Sequence, residues 1–153
     1  MSYMPFTNYN QITLEKDEHF VLGRGEHYRE CLLVWEGNVT AEPDAVFMDE
    51  VKMISPYGKV VMENGSLIYH LHIMNGCHIY LNGEHSLICE LLDEFGDLFI
   101  HVGKNCKNWE SCFEEKHMAD SCVELRASHF EEDYAKAKAS ARTCYSRYVI
   151  KED

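Results

Sequence analysis

The chain has 153 residues, of which 26 are acidic and 14 are lysine or arginine, so its formal net charge is −12 at pH 7. This charge argues against two kinds of ligand, the phosphates of nucleic acids and anionic membranes, because both are bound through basic surfaces. The length is typical of one domain and no apolar run approaches the roughly 20 residues that cross a bilayer, so we expect residues 1–153 to form a single globular domain.

The first third of the chain is predicted to form short strands joined by polar turns. Arg29–Glu36 contains the continuous apolar run of a buried strand. The segment Pro43–Ile54 fits two patterns, because its apolar residues are spaced as in a helix while its last ones also alternate as in a strand. We expect a short helix that begins after Pro43.

The middle of the chain contains three Asn-Gly pairs, Asn64-Gly65, Asn75-Gly76 and Asn82-Gly83. Each pair separates two runs rich in Val, Ile, Leu and Tyr. Asn-Gly between apolar runs is the pattern of a two-residue β-hairpin turn, in which both turn residues adopt positive φ. We therefore predict a central antiparallel β-meander over residues 59–102.

The predicted turns also determine which side chains share a face of the meander. The core face is predicted to carry Val60, Met62, Leu67, Tyr69, Leu71, Ile73, His78, Tyr80, Leu87, Cys89 and Leu91. The outer face is predicted to carry mostly polar side chains, among them His70, His72, Glu90 and His101.

The last third of the chain is predicted to pack a helix on the sheet. The capping box Ser128-x-x-Glu131 is followed by apolar residues at spacings of three and four as far as Tyr145. Alternating segments at 122–127 and 148–151 predict flanking strands, and a second short helix is expected over 108–117. The predicted fold class is therefore α+β, a mainly antiparallel sheet with a C-terminal amphipathic helix packed on it. The sequence shows no internal repeat.

Seven cysteines at irregular spacings, with no Cys-x-x-Cys pair, argue against a disulfide framework and favour a cytoplasmic protein with reduced thiols. The series Cys106, Cys112, His117 and Cys122 could hold zinc, but structural zinc sites usually use more closely spaced cysteine pairs. Gly23-Arg24-Gly25 lacks the third glycine of a dinucleotide-binding fingerprint. We therefore predict neither a metal nor a cofactor.

The histidines of the predicted outer face offer one route to catalysis. His70 and His72 are two residues apart and project from the same side of a strand, where Glu90 and His101 could join them in acid–base chemistry. Neither histidine segment contains the His-x-Thr or His-x-Ser pattern of two-histidine phosphoesterases. The face therefore leaves two alternatives, ordinary surface histidines or the site of a hydrolase or small-ligand-binding protein.

The net charge supports the leading hypothesis, a small acidic, non-catalytic protein that binds a basic surface of another protein as an inhibitor or regulator. Acids predominate most strongly in residues 1–58, which hold ten acidic and four basic side chains. The predicted binding residues are Glu42, Asp44, Asp49 and Glu50. A nucleic-acid mimic, or an antagonist of a host factor encoded by a virus or mobile element, fits the same composition.

Overall fold

The computed structural model describes residues 12–114, 116–140 and 146–152. Within these ranges the strands are β1 Ile12–Leu14, β2 His19–Leu22, β3 His27–Tyr28, β4 Leu32–Val34, β5 Asn38–Ala41, β6 Val46–Met53, β7 Lys59–Met62, β8 Leu67–Ile73, β9 Cys77–Leu81, β10 Leu87–Asp93, β11 Leu98–Val102, β12 Val123–Arg126 and β13 Arg147–Lys151. The described helices are α1 (Phe130–Ser140) and short 3₁₀ helices at Trp109–Cys112, Lys116–Ser121 and Ala127–His129.

Two parallel sheets share these strands. Sheet A has the order β1-β4-β6-β8-β10, with β3 also beside β6, and sheet B has the order β12-β13-β11-β9-β7-β5-β2. From β4 to β11 each strand in one sheet is followed by a strand in the other. The chain therefore winds as a β-solenoid, with one strand of each sheet per coil.

One coil of the solenoid takes about 20 residues. The inward-facing register partners in sheet B are Val39, Val60, Ile79 and Ile100, at steps of 21, 19 and 21 residues. The corresponding partners in sheet A are Leu32, Val51, Leu71 and Leu91. All eight side chains are buried between the sheets. Since burying a Val, Leu or Ile side chain contributes about 1.5–3 kcal/mol, these ladders hold each coil to the next.

The predicted antiparallel meander, and with it the mainly antiparallel α+β fold, is wrong. Strand β8 pairs in parallel with β6 and β10, each one coil away, and not with the strands next to it in the sequence. Of the three Asn-Gly pairs only Gly65 and Gly76 have positive φ, at 73° and 85°. A type I′ hairpin needs two such residues in succession. A single left-handed residue instead turns the chain from one sheet towards the other.

Two glycines allow the turns of neighbouring coils to stack. These turns lead from sheet A to sheet B, and we call the segments 15–18, 35–37, 54–58, 74–76 and 94–97 the A-to-B turns. A Cβ atom on Gly76 would lie 2.3 Å from the backbone oxygen of Asp97, and one on Gly96 would lie 2.3 Å from the backbone oxygen of Asn75. Both glycines also have positive φ. The backbones of successive A-to-B turns therefore touch at positions where no other residue fits.

The predicted division of side chains into two faces is right only in part. Val60, Met62, Leu71, Ile73 and Leu91 are buried, as predicted. The other six side chains assigned to the core are not buried, and they are those of Leu67, Tyr69, His78, Tyr80, Leu87 and Cys89. In β9 the inward residues are Cys77, Ile79 and Leu81, so the alternation is opposite to the one that hairpin turns imply.

The predicted helix after Pro43 is also wrong, because this segment forms strand β6. The register between β6 and β8 shifts between Phe47 and Glu50, which marks a β-bulge. The buried side chains of Phe47 and Val51 are four positions apart, which fits two repeats of a strand as well as about one turn of a helix. The sequence spacing therefore could not distinguish the two structures.

The C-terminal strand–helix–strand prediction is confirmed by β12, α1 and β13, although the predicted continuation to Tyr145 lies outside the described residues. Strand β13 lies between β11 and β12, and α1 packs on the outer face of this end of sheet B. Over 108–117 the structure has 3₁₀ turns, and the buried rings of Trp109 and Phe113 close the core beyond β10. None of the described helices is long and apolar enough to cross a membrane.

Candidate functional site

The outer face of sheet A carries a cluster of carboxylates and histidines. We call this cluster the acidic face and define it by Glu50, His70, His72, Glu90 and Glu94. Glu50, His70 and Glu90 are register partners on β6, β8 and β10, so they form one outward ladder with a spacing of about 4.8 Å between strands.

The histidines of the acidic face contact its carboxylates. His72 Nε2 lies 3.0 Å from Glu94 Oε2, and its Nδ1 lies 3.7 Å from Glu50 Oε2. His70 Nδ1 lies 3.5 Å from Glu90 Oε2. His72 therefore lies between two carboxylates, within hydrogen-bond distance of Glu94 and slightly farther from Glu50.

Exposed apolar side chains concentrate around the acidic face. Among the described residues seven large apolar side chains are exposed, and six of them lie on the outer face of sheet A or in the A-to-B turns that border it. Those on the sheet are Met48, Tyr69 and Leu92, and those in the turns are Trp35, Tyr57 and Phe95. Tyr57 and Phe95 are the most exposed, at 75% and 71%.

The structure separates the four predicted binding residues into two places. Asp49 and Glu50 lie on sheet A, where Glu50 belongs to the acidic face. Glu42 and Asp44 lie in the turn that leads from β5 of sheet B to β6 of sheet A. Asp44 has a φ of 63°, and its backbone N–H donates to the oxygen of Asn64 at 3.0 Å, so it also shapes the turn.

The four residues of the alternative catalytic hypothesis are separated as well. His70, His72 and Glu90 lie together on the acidic face, but His101 lies on β11 and faces outward from sheet B. The two sheets face each other across the core, so these histidines are on opposite sides of the solenoid. No group of three or more His, Cys, Asp or Glu side chains in the described ranges is arranged to hold a metal ion.

The outer face of sheet B has a different chemistry. None of β2, β5, β7, β9 and β11 contains an Asp or Glu. His78 Nδ1 and His101 Nε2 share a hydrogen bond of 2.9 Å, and the rings of Tyr80 and His101 stack with centroids 4.1 Å apart. We call His78, Tyr80 and His101 the imidazole cluster.

The histidines of the imidazole cluster are poor proton acceptors. Burial and the nearby Lys59 ammonium lower the pKa of His78. Burial, followed by the charges of His78 and Lys59, lowers the pKa of His101 to about 4. The cluster is therefore neutral at pH 7, unlike the acidic face on the other side of the molecule.

The cysteines of the candidate zinc series do not gather at one point. Cys106 Sγ and Cys112 Sγ lie 3.9 Å apart. Cys122 is elsewhere and donates to the backbone oxygen of Met118 at 3.2 Å. The side chain of His117 lies outside the described residues. Two of the four predicted ligands are thus brought together.

The acidic face has a signal in the sequence that the hairpin interpretation concealed. Glu50, His70 and Glu90 are separated by 20 residues each, which is the length of one coil. Once the coil length is known, this spacing predicts that the three side chains form one ladder.

Comparison with models of protein families, with curated proteins and with solved structures found no match for this chain.

Proposed function

We propose that this chain is a non-catalytic binding protein, and that its acidic face and the surrounding apolar side chains engage a basic surface of a protein partner. The observation that carries the proposal is the coincidence of two features on one side of the solenoid. The three carboxylates of the acidic face share the outer side of sheet A with the exposed side chains of Met48, Tyr69 and Leu92. Three more of the seven exposed large apolar side chains of the described residues lie in the A-to-B turns at its border.

Such a combination is suited to protein recognition. Tyr, Trp, Phe and Met are enriched in protein interfaces, where a few buried aromatic anchors supply most of the binding energy. Tyr69 and Phe95 are 46% and 71% exposed and are available for this role. Carboxylates around such anchors attract a basic partner and select it over acidic ones.

The scaffold also favours binding. Strands β6, β8 and β10 are each hydrogen-bonded in a parallel sheet, so the acidic face is held in place by backbone pairing. A surface ordered before binding loses less conformational entropy when the partner arrives. We further propose that the protein acts in the cytoplasm, where half-buried free thiols such as those of Cys31 and Cys89 would persist.

The test compares two triple variants with the same change of charge. Glu50→Lys/Glu90→Lys/Glu94→Lys reverses the acidic face. Glu42→Lys/Glu63→Lys/Glu84→Lys reverses three acids in the turns that lead from sheet B to sheet A. We expect the first variant to weaken binding of a captured partner by about tenfold or more, because it replaces attraction by repulsion at the contact.

The partner is to be captured with immobilised wild-type protein at low salt, purified, and titrated against all three proteins by calorimetry. Salt should weaken wild-type binding, since exposed charges are screened. Equal losses in both variants would show that net charge alone attracts the partner and would contradict the proposed surface. Full binding by the first variant would also contradict it.

A further inference from the structure

The thiols of Cys106 and Cys112 lie close together in the interior of the protein. The two sulfur atoms lie 3.9 Å apart, and Cys112 Sγ is also 3.7 Å from Ser86 Oγ. Both thiols are almost completely buried, with residue exposures of 5% and 2%. A disulfide bond has a length of about 2.05 Å, so the sulfurs must approach each other by a little under 2 Å to form one.

A cavity of about 300 Å³ leads to this pair, and both cysteines line it together with Glu84, His85 and Lys107. The pair also joins two parts of the structure. Cys106 ends the turn that follows β11, and Cys112 ends the 3₁₀ helix whose Trp109 covers the core. A bond between the sulfurs would tie this covering segment to the last coil.

We propose that Cys106 and Cys112 form a reversible intramolecular disulfide by exchange with a small-molecule disulfide that enters through this cavity. One cysteine thiolate attacks the small disulfide, forms a mixed disulfide and releases the first small thiol. The second cysteine thiolate then attacks the protein sulfur of that mixed disulfide and releases the second small thiol. The protein loses two protons and two electrons, and the small disulfide is reduced to two thiols.

The surroundings of the pair determine how the exchange responds to pH. Burial raises the pKa of Cys106 to about 12, with further contributions from Cys112, Glu84 and Glu110. The thiolate is the attacking species, so exchange is slow at neutral pH and faster in alkaline solution. The two carboxylates near Cys106 also favour a cationic reagent over an anionic one.

The test uses cystamine, a small cationic disulfide, on folded full-length protein carrying Cys31→Ser and Cys89→Ser. These two replacements, together with a third, Cys122→Ser, remove the described thiols that are more exposed than the pair and would take single adducts. After quenching in acid, alkylation and digestion, mass spectrometry should find a peptide linked through Cys106 and Cys112. The link should form faster at pH 9 than at pH 7, and the oxidised protein should unfold at a higher temperature than the reduced one.

Two further variants test whether the reaction depends on the closeness of the two thiols or only on the accessibility of one of them. Adding Cys106→Ser or Cys112→Ser should abolish the linked peptide and the rise in unfolding temperature, and should leave cystamine as a stable adduct on the remaining thiol. Three results would overturn the proposal. These are a stable adduct on the intact pair, a link that forms only in denaturant, and stoichiometric zinc binding that Cys106→Ser removes.

Discussion

The two outer faces of the solenoid are built by the same coils and yet carry opposite chemistry. On sheet A, histidines such as His72 contact carboxylates, and exposed apolar side chains surround them. On sheet B the strands from β2 to β11 have no carboxylate, and the rings of Tyr80 and His101 stack on each other. Net charge alone therefore does not distinguish the two faces, and the proposed binding surface rests on the separation of charge between them.

The largest expected effect comes from breaking the turns that hold both faces in register. Gly96→Ala should lower the free energy of unfolding by about 4 kcal/mol, because it adds a Cβ against the backbone oxygen of Asn75 at a residue with positive φ. Urea denaturation followed by circular dichroism measures this loss.

Gly25→Ala is the matched control for this replacement. Gly25 also has positive φ, at 69°, but a Cβ atom there would meet nothing within 4 Å. Gly25→Ala should therefore lower the free energy of unfolding by only about 1–2 kcal/mol, which is the cost of the left-handed conformation alone. Equal losses in the two variants would contradict the close stacking of the A-to-B turns.

The next largest effect concerns the ion pair that joins the two sheets at one end. Asp93 at the end of β10 accepts two hydrogen bonds from Arg147 at the start of β13, at 2.6 and 3.0 Å, and both side chains are largely buried. Asp93→Ala should lower the free energy of unfolding by about 3 kcal/mol, because it removes the carboxylate that pairs with a buried guanidinium.

The pair Arg126–Asp133 provides the comparison, since its arginine side chain is 55% exposed, against 19% for Arg147. Asp133→Ala should therefore lower the free energy of unfolding by less than Asp93→Ala does, because water can replace the lost carboxylate at Arg126. Thermal unfolding of both variants, with calorimetric enthalpies, checks the order. A smaller loss for Asp93→Ala than for Asp133→Ala would show that the pair does not tie sheet A to sheet B.

The smallest expected effect is a change in the pH dependence of the free energy of unfolding, caused by His101 on the outer face of sheet B. A histidine whose pKa is lower in the folded protein contributes stability above its unfolded pKa of about 6.5 and loses it as pH falls towards the folded value. For His101 that value is about 4, so its contribution disappears between about pH 6.5 and pH 4. Solvent screens this half-buried ring, and we expect about 1 kcal/mol.

His101→Gln should therefore make the free energy of unfolding fall less steeply over this pH range than it does in the wild type. Lys59→Met removes one cause of the lowered pKa and should flatten the curve by a smaller amount. Parallel urea titrations at several pH values give the three slopes. Identical slopes would contradict the lowered pKa of His101, because they would mean that it has the same pKa in the folded and unfolded states.

The sequence correctly predicted those elements whose residue pattern fits only one kind of structure. The C-terminal segment is correct because the residues around Phe130 and Tyr134 have the spacing of a packed helix. Burial of Val60 and Leu71 is also correct, because both lie in strands whose apolar residues alternate with polar or smaller ones, and such alternation identifies the core face for parallel and antiparallel pairing alike.

The pairing of strands could not be derived from the same local patterns. Asn64-Gly65 fits a hairpin turn as well as a corner with one left-handed residue, and only long-range pairing distinguishes them. The bulge in β6 and the unequal lengths of the turns also make the coils differ in length. Successive coils therefore share the inward or outward direction and the size of their side chains, but they do not repeat the same amino acids at a fixed interval. Glu42 and Glu50 are close in sequence but on different surfaces, because the chain turns between them.

The segment around Trp109 and Phe113, which covers the core beyond β10, has a consequence for self-association. A parallel solenoid offers the hydrogen-bonding groups of its last strand to any further strand that can align with it. In this molecule Phe113 bridges to Ile88 of β10, and the N–H of Glu114 donates to the oxygen of Ile88 at 3.3 Å. This contact fills the edge of β10 at Ile88 from within the same chain, so a second chain cannot pair with β10 there without displacing it.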